Sequence, residues 1–308
     1  MPSIRARVVR LMIRRIVGRR FERAGRSIEE WRRLDDFLTR SQRPLKGTEI
    51  EVLSAGVVKG EWVWGPGSRD GGLILYLHGG GFIIGSPATH RELASRISEA
   101  SGFPVFSLEY RLAPEHPFPA PLNDTRRAYQ WLLSEGYSPG GIVLGGDSAG
   151  AGLALQALLA MREEGIALPA AAFFMSPVTD WVAMDGESYT TRAHSDPLIS
   201  EAQCRWTASL YAGGQGASEP LLQPLLMDLD GLPPVWIQAG DHEVLLSDST
   251  RLAVRAEEAR IPTEFKVWAG MWHVFQSAAR FVPEGRESLE DLGRFVRGIL
   301  ATSEVMKR

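Results

Sequence analysis

The sequence predicts an α/β fold in which a mostly parallel sheet carries helices on both faces. Short apolar runs alternate with amphipathic segments, and the run 73–77 is apolar at every position. A strand without polar alternation fits a parallel sheet, because both of its faces are covered. The chain has 308 residues, of which 44% are apolar and 23% are charged. This composition is typical of a globular protein whose core needs neither disulfides nor a metal.

After residue 45 the predicted elements follow in a regular order. Two strands near 48–54 and 57–64 precede a glycine-rich turn and the buried strand 73–77. The later elements are helix 87–101, strand 104–109, helix 121–135, strand 141–145, helix 149–164, strand 170–175, strand 234–239, helix 246–260, strand 263–268 and a closing helix near 286–303. The stretch 177–233 is longer than one crossover, and we interpret it as an excursion with a helix near 200–212.

The first 45 residues form a predicted helical segment with an unusual charge. Nine arginines and one acid, Glu22, lie within residues 1–26. Because arginines interrupt its apolar stripe, the segment fits neither a secretory signal nor a membrane span, and a cytoplasmic location is expected. Two interpretations stay open. Either the helix packs its apolar face on the domain, or it makes weak contact with a membrane surface.

Ligands of open parallel sheets bind beyond the carboxyl ends of the strands, so the residues that follow strands are the candidates for a site. Those residues are His78-Gly79-Gly80-Gly81, Gly146-Asp147-Ser148-Ala149-Gly150, Asp241 and His273. The only cysteine, Cys204, excludes an intrachain disulfide and is interpreted as a small buried apolar residue.

The segment Gly146-Asp147-Ser148-Ala149-Gly150 has the pattern of a nucleophile turn between a strand and a helix. Its two glycines fit a turn that is too tight for side chains. The helix N-terminus favours negative charge that develops at the serine. The segment lacks the lysine and the glycine spacing of phosphate-binding loops. We therefore predict that Ser148 is a catalytic nucleophile rather than an ordinary helix cap.

The glycine run after strand 73–77 predicts an oxyanion-binding loop. Consecutive glycines expose backbone N–H groups that no side chain obstructs. The predicted donors are the N–H groups of Gly80, Gly81 and Ala149, the last being the residue after the nucleophile. His78 is interpreted as a brace for the loop, and Gly79 completes the motif.

The base is predicted from chain order. In hydrolases with this serine turn the order is Ser…Asp…His, and His273 alone among six histidines follows the last predicted strand. His242 competes, but it lies one strand too early. His273 is expected to take the Ser148 proton and to return it to the leaving alcohol.

Among the aspartates between the nucleophile and the base, Asp241 alone directly follows a strand. Its carboxylate is predicted to hold the imidazole tautomer and to stabilise the imidazolium. Asp248, at the start of the next helix, stays open as the alternative.

Together these motifs resemble the hormone-sensitive-lipase-like esterases, the bacterial group called family IV, within the α/β-hydrolase superfamily. The resemblance covers residues 45–305. It rests on His78-Gly79-Gly80-Gly81-Phe82, Tyr110-Arg111-Leu112-Ala113-Pro114-Glu115, Phe118-Pro119-Ala120-Pro121, Gly146-Asp147-Ser148-Ala149-Gly150, Ser176-Pro177, Asp196-Pro197-Leu198, Asp241 and His273.

The resemblance implies an α/β-hydrolase fold, hydrolysis of short- to medium-chain carboxylic esters, no cofactor and no metal. It implies a helical cap, built from residues 1–45 and the excursion 177–233, on a catalytic domain at 46–308. Such enzymes often form homodimers through the last strand, 263–268 here. The sequence departs from the family pattern at two places, which affects the expected loop geometry and pocket shape. Val274 stands where glycine usually follows the histidine, and His242-Glu243 replaces the usual Pro-Leu.

Two other functions are compatible with the same fold. One is a non-catalytic small-molecule-binding protein; related hormone receptors have lost the histidine, whereas His273 is present here. The other is an amidase or peptidase with the same triad. The expected partner is a small-molecule ester, and no nucleic-acid partner is expected, although the net charge of −3 by itself argues neither for nor against one.

Overall fold

The computed structural model describes residues 1–40, 43–56 and 58–305, with side chains up to residue 301. Within these ranges the chain forms one eight-stranded sheet of order β1-β2-β4-β3-β5-β6-β7-β8. The strands are β1 (Glu49–Ala55), β2 (Val58–Trp64), β3 (Leu73–Leu77), β4 (Val105–Leu108), β5 (Ile142–Asp147), β6 (Ala171–Met175), β7 (Val235–Gly240) and β8 (Thr263–Trp268). Strand β2 is antiparallel to β1 and β4, and the other neighbours are parallel. The predicted fold class is confirmed.

Helices cover both faces of the sheet. They are α1 (Ile4–Ile13), α2 (Arg19–Ala24), α3 (Ile28–Thr39), α4 (Pro87–Ser101), α5 (Ala120–Ser134), α6 (Ala149–Glu163), α7 (Glu187–Thr191), α8 (Glu201–Ala212), α9 (Leu246–Glu258) and α10 (Pro283–Val305), with a π-helical turn, Arg14–Gly18, between α1 and α2. Alternate residues of β3 show the two layers: Leu75 packs in the core with α5, α6 and α9, whereas Ile74 packs with α4 and α10.

The local sequence explains where the helices next to the site begin and end. Ser86 and Thr89 form a reciprocal capping box at the start of α4, with Pro87 in its first turn. The same helix ends at Gly102, whose φ of +77° is accessible to glycine without strain. The start of α4 at Pro87 sets the end of the loop that follows β3.

The predicted strands and helices lie within a few residues of the observed ones. Residue 57 of the predicted strand 57–64 lies outside the described residues, as do 306–308 of the proposed catalytic domain. The excursion contains α8 as expected and also α7 (Glu187–Thr191), which we did not predict. The division into a cap at 1–45 and 177–233 and a catalytic domain stays a prediction, as does a dimer through β8, one of the two edge strands of the sheet.

None of the helices in the described ranges combines the length and the apolar character that crossing a bilayer requires.

Candidate active site

Ser148 stands on the turn between β5 and α6. Its backbone has φ +53° and ψ −122°, a conformation that residues with side chains rarely adopt. A Cβ atom at Gly146 would lie 2.2 Å from the carbonyl oxygen of Leu77, and one at Gly150 would lie 2.1 Å from it. Both glycines are required because the end of β3 passes directly against the turn.

The imidazole of His273 contacts the hydroxyl of Ser148. The distance from His273 Nε2 to Ser148 Oγ is 2.9 Å, which is suitable for proton transfer. His273 is only 5% exposed and lies between β8 and a short 3-10 turn, Phe275–Ala278. The predicted nucleophile and the predicted base are therefore brought together.

The carboxylate beside His273 belongs to Glu243, not to Asp241. Glu243 Oε2 lies 3.4 Å from His273 Nδ1, and the glutamate side chain is fully buried. A carboxylate at Nδ1 keeps the proton on that nitrogen and leaves Nε2 free to accept one from the hydroxyl. The position expected for Asp241 is wrong, since the acid lies two residues further along the chain.

Asp241 instead stabilises the turn that follows β8. Its Oδ1 accepts a hydrogen bond of 2.6 Å from Gly270 N, and it lies 3.6 Å from Nε2 of His242. The alternative acid, Asp248, is also engaged elsewhere, because its Oδ1 accepts from the N–H and the hydroxyl of Thr179, each at 2.9 Å. Among the described residues, neither aspartate forms an ion pair with His273.

A buried serine connects Glu243 with the histidine loop. The Ser176 hydroxyl donates to Glu243 Oε2 at 2.7 Å and accepts from the N–H of Val274 at 3.1 Å. Val274 has φ +48°, a strained conformation for a β-branched residue, where the family pattern has glycine. The serine thus holds the carboxylate and the residue after His273 at once.

Asp196, which lies in the excursion 177–233, holds the backbone next to Glu243 in place. Its Oδ2 accepts from Val244 N at 3.1 Å, next to Glu243, and its Oδ1 accepts from Leu198 N and Ile199 N at 2.9 and 3.2 Å. Burial raises the pKa of Asp196 to about 6, against the lowering effect of His273 and these N–H donors.

The glycine loop after β3 lies beside the nucleophile. Gly80 and Gly81 have φ of +115° and +61°, so their peptide groups adopt orientations that favour glycine. Within the described residues, the N–H groups of Gly80 and Gly81 donate to no protein acceptor. Ala149 is the first residue of α6, so its N–H has no partner inside that helix. All three residues line the same cavity as Ser148.

Asp147, the residue before the nucleophile, ties the serine turn to the glycine loop. Its Oδ1 accepts from Gly79 N at 3.0 Å and from the Tyr76 hydroxyl, and it lies 3.6 Å from Nε2 of His90. A Cβ at Gly79 would lie 2.3 Å from the other carboxylate oxygen. Burial raises the pKa of Asp147, but His90 and the hydrogen bonds outweigh it, so the net pKa is lowered and the group stays ionised.

His78 braces the loop rather than facing the nucleophile. Its ring stacks on Tyr110 with centroids 4.2 Å apart, and its Nδ1 lies 2.8 Å from the carbonyl oxygen of Gly79, to which it must donate. Burial lowers the pKa of His78 to about 3, so the ring is neutral at neutral pH.

The pKa of His273 is raised despite its burial. Burial is the largest single effect and lowers the pKa, but the Glu243 carboxylate, Asp196 and Asp147 together outweigh it, with Glu243 contributing most. A more basic imidazole is a stronger proton acceptor for a serine hydroxyl.

A cavity of about 250 Å³ opens above Ser148 and is mostly apolar. One wall comes from α2 and α3 and the other from the excursion, including its helix α8. The wall residues are Phe21, Trp31, Leu38, Val178, Trp181, Met184, Leu198, Ile199, Cys204 and Thr207. Burial raises the pKa of the Cys204 thiol, which agrees with its interpretation as an apolar residue. The arrangement suits a small apolar group held next to a carbonyl carbon at the serine.

The fold and this site define an α/β hydrolase, and the sequence match to the family described as "alpha/beta hydrolase fold" covers residues 74–277. The chain is 44% identical over 257 residues to an "Acetyl-hydrolase" of Streptomyces hygroscopicus, covering 83% of this chain and 85% of that protein. It is 33% identical over 310 residues to a "Putative acetyl-hydrolase LipR" of Mycobacterium tuberculosis, covering 99% and 98%.

Among solved structures, an esterase from the bacterial hormone-sensitive lipase (HSL) family superposes with a TM-score of 0.90. That structure is 42% identical, and the match covers 97% of this chain and 99% of the other. The resemblance inferred from the motifs is confirmed: the chain belongs to the α/β-hydrolase family and, within it, to the hormone-sensitive-lipase-like group.

Sequence reasoning missed Glu243 because it considered only aspartates. The triad order of this fold admits a glutamate at the acid position. The sequence did contain a signal for Glu243. This residue replaces an apolar residue of the usual family pattern, and it is followed by the apolar residues Val244 and Leu245. A charged residue at the start of an apolar run is a candidate for burial with a partner.

Proposed function

We propose that this protein is a serine carboxylesterase that hydrolyses esters through an acyl-enzyme on Ser148. The observation that carries the proposal is the 2.9 Å contact between Ser148 Oγ and His273 Nε2, at the floor of an apolar cavity beside the glycine loop. The names of the relatives, acetyl-hydrolase and esterase, support the same reaction class. Glu243 replaces Asp241 as the proposed orienting acid.

In the first half of the proposed reaction, Ser148 Oγ attacks the ester carbonyl carbon while its proton moves to His273 Nε2. Glu243 stabilises the imidazolium that forms. The negative charge on the carbonyl oxygen is stabilised by the N–H groups of Gly80, Gly81 and Ala149. The tetrahedral intermediate collapses, and the alkoxide leaves as an alcohol with the proton from Nε2.

In the second half, a water molecule attacks the acyl-serine carbonyl and gives a proton to His273. The second intermediate collapses to a carboxylic acid, and Ser148 regains its proton from Nε2. The strained backbone at Ser148 keeps Oγ projecting above the sheet in both halves. The proposed role of Glu243 is electrostatic, so it takes no proton from the imidazole in either half.

The proposed substrates carry short to medium acyl chains. The supporting observation is a cavity of about 250 Å³ with mostly apolar walls, bounded by bulky residues such as Trp31 and Trp181. A long acyl chain would have to extend through the cavity mouth. Hydrolysis of p-nitrophenyl esters with two to twelve acyl carbons should therefore be fastest at the short end of the series.

The direct test compares the wild-type protein with Ser148→Ala on p-nitrophenyl butyrate. We expect kcat to fall by about 10⁴-fold or more, since removing a triad nucleophile leaves only the contributions of binding and the oxyanion donors. Covalent labelling by a fluorophosphonate should disappear in the same variant. Equal rates for the two proteins would refute Ser148 as nucleophile.

The two alternative functions, a non-catalytic binding protein and an amidase or peptidase, predict different results in hydrolysis assays. A non-catalytic binding protein would hydrolyse no ester in either form, and an amidase would cleave p-nitroanilides at rates comparable to those of the matched esters. A cytoplasmic location stays a prediction from the sequence.

A further inference from the structure

Helix α1 carries two separate apolar faces. At about 100° per residue, Ala6, Val9 and Ile13 share one side of the helix. This side packs against Trp268, Met271 and Trp272, and Ala6 is 1% exposed. The other apolar side, here called the outer face, is formed by Ile4, Val8, Leu11 and Met12.

The outer face is open to solvent. Ile4 is 79% exposed, Val8 50%, Leu11 56% and Met12 52%. These four side chains span roughly 100° of the helix circumference, centred opposite the packed side. Neighbouring apolar side chains left in water at one place on a helix indicate an interaction surface rather than scattered exposure.

Other contacts fix α1 in this orientation. Ser3 N and Oγ donate to the carboxylate of Glu284 on α10 at 2.5 and 3.0 Å. Arg10 contacts the ring of His242, and Arg14 donates to the carbonyl oxygen of His194 at 2.6 Å. The helix is therefore anchored at several points, and no simple rotation would bury the outer face.

Arginines border the outer face. By the same helical geometry Arg5 lies on one side of it and Arg7 on the other. Arg15, in the π-helical turn, and Arg19, at the start of α2, add positive charge beyond the C-terminal end of α1. All four are exposed, and within the part of the chain that the structure describes none of them pairs with a carboxylate. An apolar stripe between unpaired cations matches a surface with anionic groups above a hydrocarbon layer.

We propose that the outer face of α1 binds an anionic lipid surface, with Ile4, Val8, Leu11 and Met12 in the headgroup boundary and the flanking arginines on the phosphates. A second copy of the chain fits less well, because it would bring two sets of arginines together. The chain that follows α1 reaches the ester site, since Phe21 and Trp31 line its cavity. The proposal concerns binding and does not depend on the proposed reaction.

The test is flotation of the full-length protein with vesicles of phosphatidylcholine and phosphatidylglycerol, compared with vesicles of phosphatidylcholine alone. The variant Val8→Ser/Leu11→Ser removes apolar surface without touching the core. Its matched control is Val254→Ser/Phe281→Ser, at two residues that are 53% and 58% exposed elsewhere on the surface. Circular dichroism and p-nitrophenyl butyrate hydrolysis establish that each variant is folded.

We expect the wild type and the control to float with the anionic vesicles, and the outer-face variant to bind them at least about tenfold more weakly. Raising the salt to 0.5 M should weaken wild-type binding by screening the arginines. Failure of the wild type to bind anionic vesicles, or equal binding by the outer-face variant, would overturn the proposal. If light scattering shows a dimer that this variant alone dissociates while vesicle binding is unchanged, a second copy covers the face.

Discussion

Replacing Glu243 by Gln tests which carboxylate orients the base. Glutamine keeps the size of the side chain and its contact with Ser176 but removes the negative charge next to His273. The matched control is Asp241→Asn, at the residue that the sequence favoured. Its amide oxygen can still accept from Gly270 N, so the turn after β8 should be retained.

The expected loss of kcat in Glu243→Gln follows from the distance between the carboxylate and the imidazole of His273. Two unit charges 3.4 Å apart interact by about 5 kcal/mol at an effective dielectric constant of about 20. Because the imidazolium of His273 forms only as the reaction proceeds, most of this energy is lost from the transition state. Each 1.36 kcal/mol corresponds to about tenfold in rate, so Glu243→Gln should lower kcat by about 10³–10⁴-fold. Asp241→Asn should change it by less than about threefold.

The assay is kcat/KM for p-nitrophenyl butyrate as a function of pH. Its acid limb reports the pKa of His273 in the free enzyme, because only the neutral imidazole can accept the serine proton. Glu243 raises that pKa against the effect of burial. Removing the charge leaves burial opposed only by Asp196 and Asp147, so the limb of Glu243→Gln should move to lower pH. The limb of Asp241→Asn should stay in place.

Either of two results would refute this reasoning. One is a loss of 10³-fold or more in Asp241→Asn with a small loss in Glu243→Gln, which would return the acid role to Asp241. The other is an acid limb that does not move in Glu243→Gln. Active-site labelling by a fluorophosphonate and the thermal midpoint of each variant separate these outcomes from unfolding.

Three further predictions concern other parts of the site and its surroundings. Ser176→Ala should lower kcat by about 10–100-fold, since a hydrogen bond to the charged Glu243 is lost. Gly80→Ala should lower kcat by about 10²–10³-fold, because the added Cβ would lie 2.2 Å from a backbone oxygen and displace an oxyanion donor. Asp248→Asn should stabilise the protein above about pH 6. Burial raises the pKa of Asp248 from 3.8 to about 6, so the protonated carboxyl is the form that the folded state favours. The contribution of Asp248 to stability is therefore fully present below about pH 4 and is lost as the pH rises through about 6. The gain at pH 8 should be about 3 kcal/mol, measured by urea unfolding, and should shrink towards pH 4.

Each of these has a contradicting outcome. A Ser176→Ala enzyme with full activity would mean that the serine does not hold the acid. For Gly80→Ala, a kcat near that of the wild type would remove its N–H from the oxyanion site. An Asp248→Asn protein that is less stable than the wild type at pH 8 would show that the bonds to Thr179 require the charged form.

Local sequence determines most of the fold. Strand β3 is apolar at all five positions, and its observed bounds match the predicted 73–77 because parallel strands are covered on both sides. Helix α4 lies where its capping serine and its terminal glycine place it. The short helix α7 was not predicted, because its five residues carry too little periodicity to indicate a helix.

The nucleophile could be predicted for the same local reason. The serine turn is one continuous segment, and its two glycines are required because the end of β3 passes close to it. The base followed from chain order, since it must come after the last strand to reach the serine. Both inferences needed only the order of elements along the chain.

The sequence by itself therefore determined the fold class, most of the strands and helices, the serine turn, the glycine loop and the histidine. Only the tertiary structure decided which acid contacts that histidine, and which face of α1 is left in water. The reason is geometric in both cases. After a strand ends, a shift of two residues changes the direction of a side chain completely, and Asp241 turns towards Gly270 while Glu243 points to His273. The sequence showed a single apolar stripe on this helix, and only the packing of Ala6, Val9 and Ile13 against Trp272 and its neighbours separates a buried side from an exposed one.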